Sequence, residues 1–225
     1  LEEGTGCVHT APGHGEEDYL LGLKYNLPIF SPVNDEGKFT SEVEEFEGIH
    51  IFKANPLITE KLKKDGFLLH RGTIYHSYPH CWRCKSPLIF RATPQWFLNV
   101  DKHNLRNRAI KAVLNDIEWI PQQSKMRIKS MLEERPDWCL SRQRYWGVGI
   151  PAIYCLNCGE AIIEEDIIQK VKSLTAEYGS DIWFKEKVEE FIPSGIKCPK
   201  CGGKKFTKEK DIIDVWFESG ISHQA

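Results

Sequence analysis

The chain has 225 residues, 41% of them apolar and 28% charged, with a net charge of −2. That length holds one large domain or two small ones with a real core, and 11% aromatic residues exclude a wholly disordered chain. No run approaches the roughly 18 uninterrupted apolar residues of a membrane span, and 30 basic against 32 acidic residues exclude a strongly basic nucleic-acid module while leaving room for a local basic face.

The chain opens at Leu1, has no Met before Met126 and shows no signal peptide, so it reads as a piece of a longer polypeptide. A Gly-rich stretch from Gly4 to Gly15 leads into a predicted helix over 16–25, with Tyr19, Leu20 and Leu23 on one face. Leu27 to Val33 reads as a short strand broken by prolines, and Asn34-Asp-Glu-Gly37 as a turn. A second helix is expected up to Asp65, with Asn55 as N-cap, Pro56 at the first helical position and Gly66 just past the end. Residues 67–78 look β-like, with a turn at Arg71-Gly72. Helices are predicted over 105–114 and 124–132, joined across Trp119-Ile-Pro121. Composition changes after Pro136, and residues 211–217 read as an apolar strand.

Eight cysteines are present, and six fall into C-x-x-C pairs, which without a secretory signal point to metal rather than disulfides. Cys155/Cys158 and Cys198/Cys201 are each followed by glycine. The two-residue gap lets both sulfurs face one tetrahedral ion, and the glycine permits the tight turn beneath it. Structural Zn2+ is the expected occupant. The insert between these pairs is longer than in a compact zinc ribbon, and apolar residues at helical spacing over 162–171 and 182–191 supply structure of its own. Cys81 and Cys84 offer only two ligands. Three readings stay open for them: a local site completed by His76 and His80, ligands from outside this chain, or two free thiols.

Four segments then occur in one order: 76–87 (His-Ser-Tyr-Pro-His-Cys-Trp-Arg-Cys-Lys-Ser-Pro), 93–97 (Thr-Pro-Gln-Trp-Phe), 135–147 (Arg-Pro-Asp-Trp-Cys-Leu-Ser-Arg-Gln-Arg-Tyr-Trp-Gly) and 214–220 (Asp-Val-Trp-Phe-Glu-Ser-Gly). Together they closely resemble the central part of the isoleucyl-tRNA synthetases, class I aminoacyl-tRNA synthetases, over nearly the whole chain. Residues 4–19 are similar to the second half of that family's editing signature. The valyl and leucyl enzymes share parts of the pattern, but the stretch around Tyr78-Pro-His-Cys-Trp82 favours isoleucine. Two departures stand out: Glu218 where the family usually has Asp, and Gly149 where Pro is common.

The resemblance implies an α/β fold: a partial editing β-barrel plus an interrupted Rossmann-type core with a zinc-knuckle insertion. The implied boundaries are 1–100 for the C-terminal half of the editing domain, 101–135 for a helical return, 136–154 and 206–225 for Rossmann strands, and 155–205 for the zinc-binding insertion. The ligase it implies activates isoleucine with ATP and Mg2+, charges tRNA(Ile), and hydrolyses mischarged Val-tRNA(Ile). It would be a cytoplasmic monomer without membrane contact. The HIGH-type and KMSKS-type ATP motifs and the Thr-rich wall of the editing pocket are absent from this sequence, so the chain alone is expected to catalyse neither reaction. In the family a second C-x-x-C, which would precede Leu1, completes the metal site of Cys81 and Cys84.

A hydrophobic pocket discriminates one methylene by only about 1–3 kcal/mol, a general limit for which isoleucine against valine is the usual example. Hence the second, hydrolytic site. By resemblance Asp18 anchors the substrate α-ammonium and His9 lines the editing pocket near the side chain or ester. The plain alternative for Asp18 is a first-turn acid stabilising a helix N-terminus. His14, between two glycines, is structural or solvent-facing. Trp216 would contact the isoleucine side chain with its flat apolar face, the alternative being a core tryptophan on a strand. Ser141, Arg142 and Gln143 would lie near the substrates, with no individual role assigned. Basic clusters at Lys125, Arg127 and Lys129, and at Lys197, Lys200, Lys204, Lys205, Lys208 and Lys210, read as solvated faces rather than tRNA contacts. Two other classes compete: a free-standing aminoacyl-tRNA editing hydrolase, and a non-catalytic zinc-dependent tRNA-binding module.

Overall fold

A computed structural model describes residues 4–224, which part into two compact units between Pro94 and Gln95.

In the first unit, helix α1 spans Glu16–Tyr25, with Glu16, Glu17 and Asp18 in its first turn and Lys24 in its last. That polarity suits the helix dipole. Its buried Gly22 lies against Pro12, where a Cβ would come within 2.8 Å of the proline ring. The predicted turn forms: Asn34 Oδ1 accepts from the N–H groups of Glu36 and Lys38, each at 3.0 Å. Helix α2 spans Ile51–Lys64 and starts a turn earlier than expected, with His50 rather than Asn55 as its N-cap. Pro56 therefore lies inside the helix. The Lys53 and Ala54 N–H groups donate to the His50 carbonyl and start the helix before the proline, which has no N–H to give, is reached. The end is as predicted. Gly66, at φ +77°, donates to Lys63, and Phe67 donates back to Leu62, the paired bonds of a Schellman stop.

The expected β-barrel does not appear among the described residues of this unit. Its β pairing is limited to isolated bridges: Val33 with Phe39, Lys38 with His50, and His80 with Pro87. The stretch 67–78 forms no strand or helix, and its Leu69, Ile74 and Tyr75 stand exposed. A barrel strand needs hydrogen-bonded neighbours on both sides, and the described chain supplies none there.

The second unit opens with β1 (Phe97–Leu98), followed by helices α3 (Leu105–Asn115) and α4 (Ser124–Glu134), both close to prediction. Side chains satisfy the carbonyls at the two helix ends: Lys125 donates to Leu114 and Arg106 to Leu132. Strand β2 (Trp138–Cys139) pairs with β1, and β3 (Ser141–Arg142) pairs with β7 (Ile212–Ile213). A three-stranded sheet has the order β5-β4-β6, with β4 at Ile153–Cys155, β5 at Ala161–Ile162 and β6 at Phe206–Lys208. Helix α5 (Glu165–Tyr178) and the short α6 (Ile182–Lys185) cover it.

All these pairings are antiparallel, so the parallel order of a Rossmann core is not seen among the described residues. The predicted strand over 211–217 is also cut short. After β7 the chain turns into helix α7 (Val215–Ile221), because the Asp214 carboxylate accepts from the Trp216 N–H and caps it. Trp216 thus stands on a helix and is 72% exposed, rather than packed in a core strand.

The core of the second unit is the interior of the knuckle insertion: Ile153, Ile162, Ile167, Ile182, Trp183, Phe191 and Phe206 pack with Cys155 and Cys198. Each large apolar side chain buried there contributes about 1.5–3 kcal/mol. The Trp183 indole lies directly over Gly149, where a Cβ would sit 2.1 Å from the ring. That contact leaves no room for a side chain at Gly149, one of the two departures noted above. Glu218, the other departure, uses its carboxylate to accept from the Val148 N–H at 3.2 Å.

Candidate functional site

The strongest site is the four-cysteine cluster. Cys155 ends β4, and the turn after it is held by the Gly159 N–H donating to the Cys155 carbonyl at 2.8 Å, with Gly159 at φ +72°. The second knuckle repeats this geometry: Gly202 donates to Cys198 at 2.8 Å and also has φ +72°. The left-handed backbone is why each pair is followed by glycine.

The four Sγ atoms lie within 4.8 Å of one another, with Cys155 to Cys201 at 3.5 Å and Cys158 to Cys198 at 3.6 Å. A zinc tetrahedron with Zn–S bonds of about 2.3 Å has edges of about 3.8 Å. Burial pushes the Cys155 thiol up, but the backbone N–H groups of Asn157 and Cys158 and the thiols of Cys201 and Cys198 draw it down to about 7. For Cys158 the Glu160 backbone lowers the value, yet burial and the three neighbouring thiols carry it up to about 12. Four sulfurs this close cannot all ionise without a cation among them, and four soft thiolates in a tetrahedral arrangement suit Zn2+.

Cys81 and Cys84 form a third knuckle that lacks the glycine. Lys85 takes its place at φ +61°, and its N–H donates to the Cys81 carbonyl at 2.9 Å. The Cys81 N–H donates to Ser86 at 2.8 Å, as Cys198 does to Gly203. Hydrogen bonds from the Ser86 backbone and hydroxyl, then from the Cys81 thiol, bring Cys84 down to about 7. Among the described residues only the other four cysteines cluster as metal ligands in threes or more. The local site with His76 and His80 is therefore not formed: His76 Nδ1 turns to the Ser77 carbonyl and His80 Nδ1 to that of Tyr78.

The second feature is a cleft of about 430 Å³ whose lining includes Arg135, Trp138, Arg142, Asp214 and Trp216. Asp214 is its centre. Its side chain is 5% exposed and pairs with Arg142 Nη2 at 2.6 Å. It also accepts from the Trp138 indole N–H at 3.0 Å and, through its other oxygen, from the Trp216 N–H at 3.1 Å. Burial alone would raise its pKa, but these N–H groups and the Arg142 and Arg135 cations hold it below the ordinary carboxylate value. One carboxylate thus ties β2, β3 and the start of α7 together.

Ser141, Arg142 and Gln143 acquire definite partners. Ser141 Oγ is buried, donates to Gln95 Oε1 at 2.7 Å and accepts from the Trp96 N–H at 2.9 Å. Gln143 Nε2 donates to Asp211 at 2.6 Å and to Gln95 at 3.3 Å. Sequence reasoning missed Gln95 as the acceptor that joins these segments, although its motif was visible. It also missed Glu209, which accepts from the Trp96 indole at 2.8 Å and from the Tyr154 hydroxyl. Burial, then the Glu209 carboxylate, push Tyr154 up to about 12.

The Gly-rich loop holds the remaining candidates. Asp18 Oδ2 accepts from the Ala11 N–H at 2.9 Å, so its carboxylate turns back over the loop. His9 is exposed. His14 Nδ1 lies 2.9 Å from the Phe90 carbonyl, a structural contact beside the Ala92-to-Gly13 backbone bond.

The family model for class I tRNA synthetases (I, L, M and V) matches residues 22–225. Among curated proteins, the isoleucine–tRNA ligase of Fervidobacterium pennivorans is 55% identical over 225 residues, covering 100% of this chain and 25% of that protein. That of Aquifex aeolicus is 53% identical over 232 residues, covering 100% and 24%, and that of Aquifex pyrophilus 52% over 229 residues, covering 99% and 43%. The chain spans about a quarter of the length of the first of these relatives. With the family motifs in order along one chain and the model matched over most of it, this chain belongs to the class I tRNA synthetases (I, L, M and V).

Proposed function

We propose that the complete protein is an isoleucine–tRNA ligase, which activates isoleucine with ATP and Mg2+, transfers it to tRNA(Ile) and hydrolyses mischarged Val-tRNA(Ile). The observation that carries this is identity of 52–55% to isoleucine–tRNA ligases along the whole chain. Such a ligase would work in the cytoplasm as a monomer. No helix among the described residues is long and apolar enough to cross a membrane.

In this reading the editing part reaches to residue 100, residues 101–135 form a helical return, and residues 136–225 belong to the synthetic core with its zinc-binding insertion at 155–205. Trp216, held at the cleft by the cap from Asp214, offers a flat apolar face to the isoleucine side chain. Zn2+ on Cys155, Cys158, Cys198 and Cys201 is structural, joining the two knuckles around which the core packs. Cys81 and Cys84 are half of a second zinc site. The Gly-rich loop belongs to the editing pocket, where His9 faces the ester or side chain and Asp18 takes the substrate ammonium, exchanging its Ala11 bond for that charge. A Rossmann core and a closed editing barrel both need strands beyond those paired here.

The test uses the complete ligase. Trp216→Ala should raise the KM for isoleucine in pyrophosphate exchange by about 10–100-fold, equivalent to about 1.4–2.7 kcal/mol, with Val-tRNA(Ile) hydrolysis unchanged. Asp18→Ala and His9→Ala should do the reverse, sparing activation and slowing hydrolysis. Absence of isoleucine-dependent exchange in the unaltered protein would refute the reading. Hydrolysis without activation would instead favour an editing hydrolase.

A further inference from the structure

Two adjoining clefts of about 360 and 420 Å³ run along the knuckle insertion and share Val188, Glu189 and Phe206. Their floor is apolar, from Val188, Ile192, Ile196 and Phe206. Their rim carries Lys187, Lys197, Lys204 and Lys210, all exposed. None of these four pairs with a carboxylate among the described residues, whereas Lys200 pairs with Glu160 and Lys185 with Asp181. Of the two carboxylates lining the groove, Glu209 is engaged by Tyr154 and Trp96, which leaves Glu189. On a chain of net charge −2, this is a concentrated cationic stripe.

The groove does not end at its lysines. Phe184 lines both the second cleft and a third, of about 350 Å³, which holds Tyr145 and Trp146 together with two carboxylates, Asp181, paired with Lys185, and Glu218, which accepts from the Val148 N–H. Phe184 is 46% exposed, Tyr145 97% and Trp146 92%. Uncovered rings beside a row of unpaired ammonium groups match the needs of one ligand class: an unpaired nucleic-acid strand, whose phosphates meet the cations and whose bases stack on the rings. An acidic peptide answers the charges and leaves the rings bare. A duplex keeps its bases stacked on each other.

We propose that this groove binds single-stranded RNA. The proposal rests on the tRNA-ligase reading only for the choice of RNA over DNA, and deepens it by naming a surface that takes an unpaired RNA strand.

The experiment is fluorescence anisotropy of an end-labelled single-stranded RNA of about eight nucleotides, a length within one such groove's usual reach, against the zinc-loaded chain over a salt series. Lys197→Glu with Lys204→Glu should weaken binding about ten-fold or more. It should also reduce the log Kd against log salt slope by about 1.4, at about 0.7 per phosphate. Trp146→Ala should weaken binding about ten-fold at an unchanged slope. Lys63→Glu with Lys64→Glu, on α2, should do neither. Zinc content and circular dichroism report folding, and Lys187→Glu with Lys210→Glu repeats the test should the first pair perturb it. The proposal is overturned by no RNA binding at low salt, by unchanged binding in the groove variants, or by equal competition from polyglutamate or blunt duplex. If the complete ligase still charges tRNA while the groove variants bind RNA as before, the groove assignment falls and the ligase reading stands. If RNA binding behaves as expected while isoleucine-dependent exchange is absent, the reverse holds.

Discussion

Asp214 shows how much one buried carboxylate can organise. It receives Arg142, the Trp138 indole and the Trp216 N–H, so that strand, cleft and helix start are set by the same two oxygens. Asp214→Asn keeps the shape but loses the charge-assisted bonds, and should cost about 1–3 kcal/mol in urea unfolding. Its folded pKa lies below the ordinary 3.8. Its stabilisation is therefore complete above that value and is lost as the pH falls through and below it. Unfolding measured between about pH 5 and 2 should show a shallower acid limb for Asp214→Asn than for the unaltered chain; parallel limbs would contradict this assignment. Gly149 is decided by contact instead. Gly149→Ala places a methyl 2.1 Å from the Trp183 ring and should destabilise by about 1–3 kcal/mol through overpacking, read from the shift in urea midpoint. Apart from the local cap on Trp216, these partners could not be read from sequence, because Trp138 and Arg142 lie far along the chain from Asp214, as Gly149 does from Trp183.

Among the elements, those with local signals were legible. The turn at Asn34, α1, α3, α4 and the Gly66 stop follow from caps, spacing and backbone freedom within a few residues. Helix α2 began early because backbone bonds to His50 outran the Asn-Pro signal, and the last strand ended at Ile213 because Asp214 caps a helix. The two C-x-x-C-G turns were readable down to their glycines, whereas the Cys81 turn was not, since Lys85 adopts the same left-handed backbone without advertising it. Zinc content should be about one per chain on the four-cysteine site. Cys155→Ser should abolish it, while Cys81→Ser should leave it unchanged in this chain, as elemental analysis after gel filtration would show. Loss of the bound metal with Cys81→Ser would mean that the Cys81 knuckle is itself part of the occupied site.

At the scale of the whole molecule, the two units differ in what holds them. Residues 95–224 pack around the knuckles, with Cys155 and Cys198 inside the core itself, so a strong chelator should unfold much of that unit. Residues 4–94 have no such centre among the described residues. Hydrogen exchange with and without chelator should therefore show protection lost in α5, β4 and β6 and retained in α2; equal loss in both units would contradict this. Sequence by itself determined the family, the four cysteines that come together and most helices, because motif spacing, capping and periodicity act over a few residues. Tertiary structure alone decided that Gln95 links the Ser141–Gln143 segment, that Trp183 lies on Gly149, and that lysines scattered from 187 to 210 line one groove. Those outcomes depend on side chains meeting across long stretches of chain, and no local pattern encodes which distant partner will fill a given space.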